Sequence, residues 1–236
     1  MNKSDHSGLR TWIEIDTKAI HANYRTFRKL IPKKVRIMGV VKSNAYGHNL
    51  TEFALPLERS GVDMLAVDSI LEALALRKAG IRVSILVLGY TLPEMFSKAL
   101  GKNIHLTISS IDGLRAFSKT PNTGKIPIHL KVDTGMHRQG FLFSEAKKVL
   151  KMLASANVNV AGLYTHFASA KDPNKRAFTE GQIEQFEQWR IAIAAGGFSP
   201  IIHASATGGT FSFSEAHFDM VRTGIGLYGV WPSSEI

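Results

Sequence analysis

Short apolar runs bounded by turn residues alternate along this chain with segments in which apolar positions recur every three to four residues. That alternation of two hydrophobic periods is the pattern of repeated strand-helix units laid around a parallel sheet. The runs predict strands at Val35–Val41, Met64–Val67, Val83–Leu88, Ile104–Ile108, Ile128–Val132, Val160–Tyr164, Ile201–His203 and Phe218–Val221. Helices are predicted near Leu50–Arg59, Ile70–Ala79, Pro93–Leu100, Ile111–Phe117, Ser144–Ser155 and Thr179–Ala195, with a short one after Thr207. Ser144 is the expected N-cap of its helix, because a serine hydroxyl accepts from an amide of the first turn. Upstream, Thr11–Asp16 reads as an additional strand and Thr17–Leu30 as a helix capped by Asp16 or Thr17.

Eight strands that are nearly continuous Val, Ile and Leu, and so buried on both faces, favour a closed (β/α)8 TIM-type barrel over an open doubly wound sheet. A length of 236 residues suits one such barrel. With no internal repeat and no low-complexity linker, positions 1–236 read as one domain carrying an N-terminal strand-helix extension. No window approaches the apolar length needed to cross a bilayer, and Met1 to Arg10 lacks the apolar stretch of a secretory signal, so a cytoplasmic protein without membrane contact is expected. The absence of cysteine excludes disulfides and thiolate metal sites, and no metal is expected. The net charge of +10 raises the question of a nucleic-acid partner. The densest basic groups, at 25–34 and 147–151, fall on expected amphipathic helices and read as solvated faces, with no recognisable nucleic-acid module.

Chemistry concentrates just past the strand ends, where barrels of this kind build their active face. The first strand runs into Lys42, and a lysine there sits in the barrel mouth, where desolvation makes an amine a better nucleophile toward an aldehyde. On position alone a snorkelling surface lysine is the competing reading.

The residues around it decide between the two. Val40-Val41-Lys42-Ser43-Asn44-Ala45-Tyr46-Gly47-His48 resembles the cofactor-lysine motif of the alanine racemase family, whose usual form has Ala for Ser43 and Gly for Asn49. The resemblance continues at 11–16, at Lys131 to Phe141, at Thr165-His166-Phe167-Ala168 and at Arg222 to Gly229. It implies a pyridoxal 5'-phosphate enzyme that interconverts L- and D-alanine for peptidoglycan synthesis, with Lys42 holding the cofactor as a Schiff base and acting as base and acid on one face of the substrate.

The same resemblance implies the remaining roles. Tyr46 and Thr207 would hold the phosphate, together with the backbone amides of Gly224 and Ile225, while Ala206 stands where the family has an asparagine. Arg222 would face the pyridine nitrogen and, being always protonated, leave that nitrogen without a proton. His166 would stack on the ring, and His203 would support Arg222 from behind. Arg138 would contact the cofactor's phenolic oxygen and the substrate carboxylate, beside Lys131, a lysine often carbamylated in the family.

Two-base racemisation also needs a tyrosine that the family supplies from a C-terminal β-domain of the neighbouring subunit. None of Tyr24, Tyr46, Tyr90, Tyr164 and Tyr228 lies in a segment like that motif. The chain stops at Ile236, about where that domain would begin, so a truncated barrel, weak or inactive alone, is expected, with a homodimer for the full-length form. The alternatives are a non-catalytic, single-barrel pyridoxal-phosphate homeostasis protein and a serine or broad-specificity amino-acid racemase.

Overall fold

The computed structural model describes residues 8–234, and in chain order they form α1 (Thr17–Leu30), β1 (Arg36–Val40), a one-turn α2 (Lys42–Tyr46), α3 (Leu50–Arg59), β2 (Met64–Val67) and α4 (Ile70–Lys78). There follow β3 (Ser84–Val87), β4 (Ile104–Ile108), α5 (Ile111–Lys119), β5 (Pro127–Lys131), α6 (Ala146–Ser155), β6 (Asn159–Tyr164), α7 (Arg176–Ala195), β7 (Ile201–His203), α8 (Thr207–Ser212) and β8 (Met220–Thr223). All eight strands are parallel and run in the order β7-β6-β5-β4-β3-β2-β1-β8. The ring closes between β7 and β8 through Asp219, whose N–H donates to the Ile202 carbonyl (3.0 Å) while its carboxylate accepts the Ile202 N–H (2.8 Å). Higher up, the Arg222 N–H donates to the Ser205 carbonyl (2.8 Å). The (β/α)8 barrel expected from the strand pattern is the fold.

Helix boundaries follow the capping chemistry. Asp16 accepts the N–H groups of Lys18 and Ala19 at the start of α1, and Arg28 and Lys29 occupy its last turn, where cations suit the helix dipole. Ser69 and Ser110 cap α4 and α5 in the same way.

Several expected boundaries move. Ser144 is not an N-cap: it lies inside a 3-10 turn, Phe143–Glu145, and α6 starts at Ala146. The Glu145 carboxylate reaches back to the Leu142 N–H (2.9 Å), which closes a tight turn over Phe143–Glu145 and leaves Ser144 inside it rather than at the start of α6. Pro93–Ala99 is a 3-10 helix, and β8 begins two residues later than expected, which places Arg222 inside the strand. Residues 11–16 form no strand, because a ring already closed on itself offers them no edge. The expected polar start, Met1 to Arg10, lies mostly outside the described residues.

Alternate residues of a strand point to opposite sides. The outward side, with Ile37, Leu65, Ile85, Leu106, Ile128 and Leu163, packs under the helices as the main core. The inward side is divided. Met38, Val40, Met64, Ala66, Leu86 and Met220 make a separate apolar cluster, whereas β4 to β8 turn His105, Thr107, His129, Lys131, Tyr164, His203 and Arg222 into the barrel. Among the described residues no helix is long and apolar enough to cross a membrane.

Candidate active site

The carboxyl ends of the strands open into a cavity of about 550 Å³. Nine of the ten residues singled out from sequence line it: Lys42 and Tyr46 from the first strand-helix connection, Lys131 and Arg138 from the β5 side, His166 from beyond β6, and Thr207, Arg222, Gly224 and Ile225 from the last two units. The tenth, His203, lies fully buried directly behind Arg222.

Lys42 is presented by an unusual turn. Ser43, Asn44, Ala45 and Tyr46 all have φ between 51° and 55°, and Gly47 follows at 89°. Left-handed backbone costs roughly 1–2 kcal/mol for each residue bearing a Cβ, so four in a row persist only where the surroundings hold them. Here Glu72 of α4 supplies both carboxylate oxygens, one to the Asn44 N–H (2.9 Å) and one to the Asp68 N–H (2.8 Å). The Asn44 side chain in turn accepts the Leu50 N–H (2.8 Å), tying the turn to the start of α3.

Arg222 is 3% exposed, and its guanidinium donates to His203 Nδ1 (2.9 Å), the Thr165 carbonyl (2.6 Å) and the Ala204 carbonyl (2.7 Å), with His166 Nδ1 at 3.4 Å. Its face lies 5.1 Å from the Tyr164 ring. Burial lowers its pKa to about 10, which leaves it fully charged at neutral pH. His166 falls to about 3, through burial first and then the positive charges of Arg222 and Arg138, so its imidazole is neutral.

Lys131 is a buried amine that burial, together with Arg138 and Arg222, brings down from 10.5 to about 7. Next to it, Asp133 organises the loop carrying Arg138. One carboxylate oxygen accepts the N–H groups of Gly135, Met136 and His137 (2.8–3.1 Å), and the other accepts that of Arg138 (3.2 Å). Burial alone would raise this carboxyl, but the backbone bonds outweigh it and hold the pKa down.

At the far end of the cavity the Thr207 hydroxyl accepts the amides of Gly224 (3.2 Å) and Gly226 (3.4 Å). A Cβ on Gly224 would stand 3.0 Å from the Tyr46 hydroxyl oxygen, so glycine keeps this corner open. The arrangement suits pyridoxal phosphate: hydroxyls and amides free of side chains for a phosphate, an obligate donor for a ring nitrogen, and a primary amine for an aldehyde. Among the described residues no group of three or more His, Asp or Glu side chains could hold a metal ion. Sequence reasoning missed Asp133 and Glu72, which act on the cavity through other residues, and Tyr164, which lines it; Tyr164 alone carried a signal, as a buried tyrosine ending a strand.

A family described as alanine racemase, N-terminal domain, matches residues 15–232. The alanine racemase of Methanococcus maripaludis is 40% identical over 94% of this chain and 61% of its own length. Alanine racemase 2 of Bacillus subtilis is 38% identical over 95% of this chain and 59% of its own. The solved alanine racemase of Clostridium difficile 630 superimposes with a TM-score of 0.90 at 31% identity, over 97% of this chain and 64% of that one. That of Bacillus anthracis, described with bound L-Ala-P, does so with 0.90 at 34% identity, over 96% and 59%. The chain thus spans about 60% of the length of the curated relatives it matches. With the fold, the cavity and these likenesses in agreement, the chain belongs to the alanine racemase family, in the part that forms its N-terminal domain.

Proposed function

We propose that this chain is the pyridoxal-phosphate-binding barrel of an alanine racemase, with a small amino acid as substrate. The observation that carries the reading is the meeting of Lys42 and Arg222, from the first and last strands, in one cavity whose far corner is a cradle of hydroxyls and backbone amides. When bound, the cofactor supplies an aldehyde that condenses with amines and a ring that draws electron density from the attached carbon.

The chain's own residues do the rest. Thr207, Tyr46 and the amides of Gly224 and Ile225 hold the phosphate and fix the ring's position. Arg222 would donate to the ring nitrogen but has no proton to give up, so it would limit how strongly the ring withdraws electrons and favour quick return of a proton to the substrate carbon. Neutral His166 would meet the ring without adding charge. Lys42 holds the cofactor and then moves a proton at the substrate's α-carbon on its own side. Arg138 receives the substrate carboxylate.

Because Lys131 has a large neutral fraction near pH 7, it can add carbon dioxide, and the resulting carbamate would orient Arg138 through opposite charge. Racemisation also calls for a second proton carrier on the other side of the substrate, which the family resemblance assigns to a C-terminal β-domain.

The test is to mix purified chain with pyridoxal phosphate, reduce with borohydride and map the modified peptide. Label on the peptide carrying Lys42, and its loss in Lys42→Ala, is the expected result. Label spread over surface lysines with Lys42 untouched would refute the assignment.

A further inference from the structure

Beneath the cavity, three imidazoles run down the polar half of the barrel interior. Arg222 donates to His203 Nδ1 (2.9 Å), His203 Nε2 lies 2.8 Å from His129 Nδ1, and His129 Nε2 lies 3.0 Å from His105 Nδ1. His203 and His129 are fully buried, and His105 is half-buried. Each step descends two residues along the strands. His203 pairs in register with Tyr164, His129 with Gly162 two residues below it, and Thr107 with His129, two residues above His105. The mechanism above uses Arg222 and ends at His203; nothing in it calls for the two histidines below.

A neutral imidazole has one donor and one acceptor nitrogen, whereas a guanidinium only donates. His203 Nδ1 must therefore accept, which leaves its proton on Nε2, facing His129. His129 Nδ1 must then accept as well, so its proton also sits on Nε2, facing His105. The reverse arrangement would set an N–H of His203 against an N–H of Arg222 in a buried site.

We propose that His129 and His105 are positioning residues for Arg222: the guanidinium fixes all three imidazoles as Nε2–H tautomers, and this one-way chain holds His203 Nδ1 as the acceptor that aims the guanidinium at the cavity. The role given to Arg222 rests on the reading in the preceding subsection.

The surroundings fit a fixed chain. Tyr164 stacks flat on His203, with ring centroids 4.8 Å apart at 6°, and its hydroxyl is 3.0 Å from Thr107 Oγ1. A Cβ on Gly162 would come within 2.1 Å of His129 Nδ1, so only glycine leaves room for that ring, and the β5–β6 register slips at Ile128/His129 to bring it there. Arg222 lies above the chain, Lys131 over Tyr164 and Arg77 beyond His105. Burial keeps His129 and His203 well below the usual imidazole range, with His105 and Arg222 adding to it at His129 and Arg222 and His129 at His203, while burial and then Arg77 bring His105 to about 4.

The test is nitrogen-15 NMR of the full chain without cofactor. The expected result is that His105, His129 and His203 all appear as neutral Nε2–H tautomers that do not titrate between pH 8 and 5. A second arm follows exchange of the Arg222 guanidinium hydrogens with water. His129→Leu breaks the chain and should speed that exchange about tenfold, whereas His129→Gln, which can still accept at oxygen and donate at nitrogen, should stay within about threefold of the parent. An Nδ1–H tautomer at His129 or His203, or titration of either near the ordinary value, overturns the proposal, as does equal exchange in the Leu and Gln variants. No cofactor enters either arm, so a chain that passes here but leaves Lys42 unlabelled by pyridoxal phosphate would refute the proposed function alone.

Discussion

Lys131 should make the protein more stable as the pH rises through the neutral range, and removing its amine should stabilise the fold in mild acid. Lys131 is 4% exposed, and its amine feels the positive charges of Arg138, Arg222 and Lys42, with Asp133 opposing them. A fall from 10.5 to about 7 means that protonating the folded chain there is disfavoured, relative to the unfolded chain, by at most roughly 4–5 kcal/mol. Water entry and side-chain relaxation screen part of this, and ~2 kcal/mol is the working figure. Between pH 7 and 10.5 the unfolded chain holds the Lys131 proton and the folded chain does not, so stability climbs with pH across that window; below about 7 both states are protonated and the whole penalty is felt. Lys131→Met keeps the side-chain length without the charge. In urea titrations in carbonate-free buffer, it should unfold ~2 kcal/mol later than the parent at pH 6, and the difference should vanish by about pH 10. Added bicarbonate should stabilise the parent near pH 8 and leave the variant unchanged. A variant that is less stable than the parent at pH 6, or a gap that does not close with pH, would refute this account of the site's electrostatics.

Lys42→Ala should lose the visible absorbance that pyridoxal phosphate gives with the parent, while its circular dichroism and melting curve stay close to the parent's, because the side chain is partly exposed; a retained band would count against Lys42. Thr207→Val removes the hydroxyl that accepts two amides, and pyridoxal-phosphate affinity, measured by fluorescence titration, should drop about tenfold, with Thr207→Ser restoring most of it. Glu72→Ala removes the bond to the Asn44 N–H that braces the left-handed turn, together with the bond to the Asp68 N–H, and should cost ~1–2 kcal/mol of stability and speed amide exchange at Asn44; unchanged exchange there would show that the turn is held by other means.

The strands were legible because their apolar runs are long enough, and burial on both faces strict enough, for composition alone to reveal them. Lys42, His166 and Thr207 were legible through the family motifs around them: position alone left Lys42 open to a surface reading, and only the resemblance gave His166 and Thr207 their roles. The turn after Lys42 was not legible, since Ser-Asn-Ala-Tyr contains no glycine and its conformation is set by Glu72 on a later helix. His105 and His129 were hidden in another way. Each sits inside an apolar run, and only a period-two reading of β4 and β5, placing them on the same side as Lys131 and Thr107, would have turned them toward Arg222. Residues 11–16 misled for want of tertiary information, because alternation marks a side of the chain but cannot say whether a neighbouring strand exists to meet it.

The pairing of the first strand with the last bears on when the cavity can come into being during synthesis. A chain emerging from the ribosome exposes Lys42 and its turn early, but the adjoining wall, with Arg222 and the glycine amides, belongs to the last strand of the ring and must fold back onto β1 before the ring is shut. Until then the lysine is an ordinary amine in water, with no cradle beside it. Under the proposed function, capture of pyridoxal phosphate would then be reserved for completed barrels, and the bound vitamin derivative would serve as a reporter of finished folding.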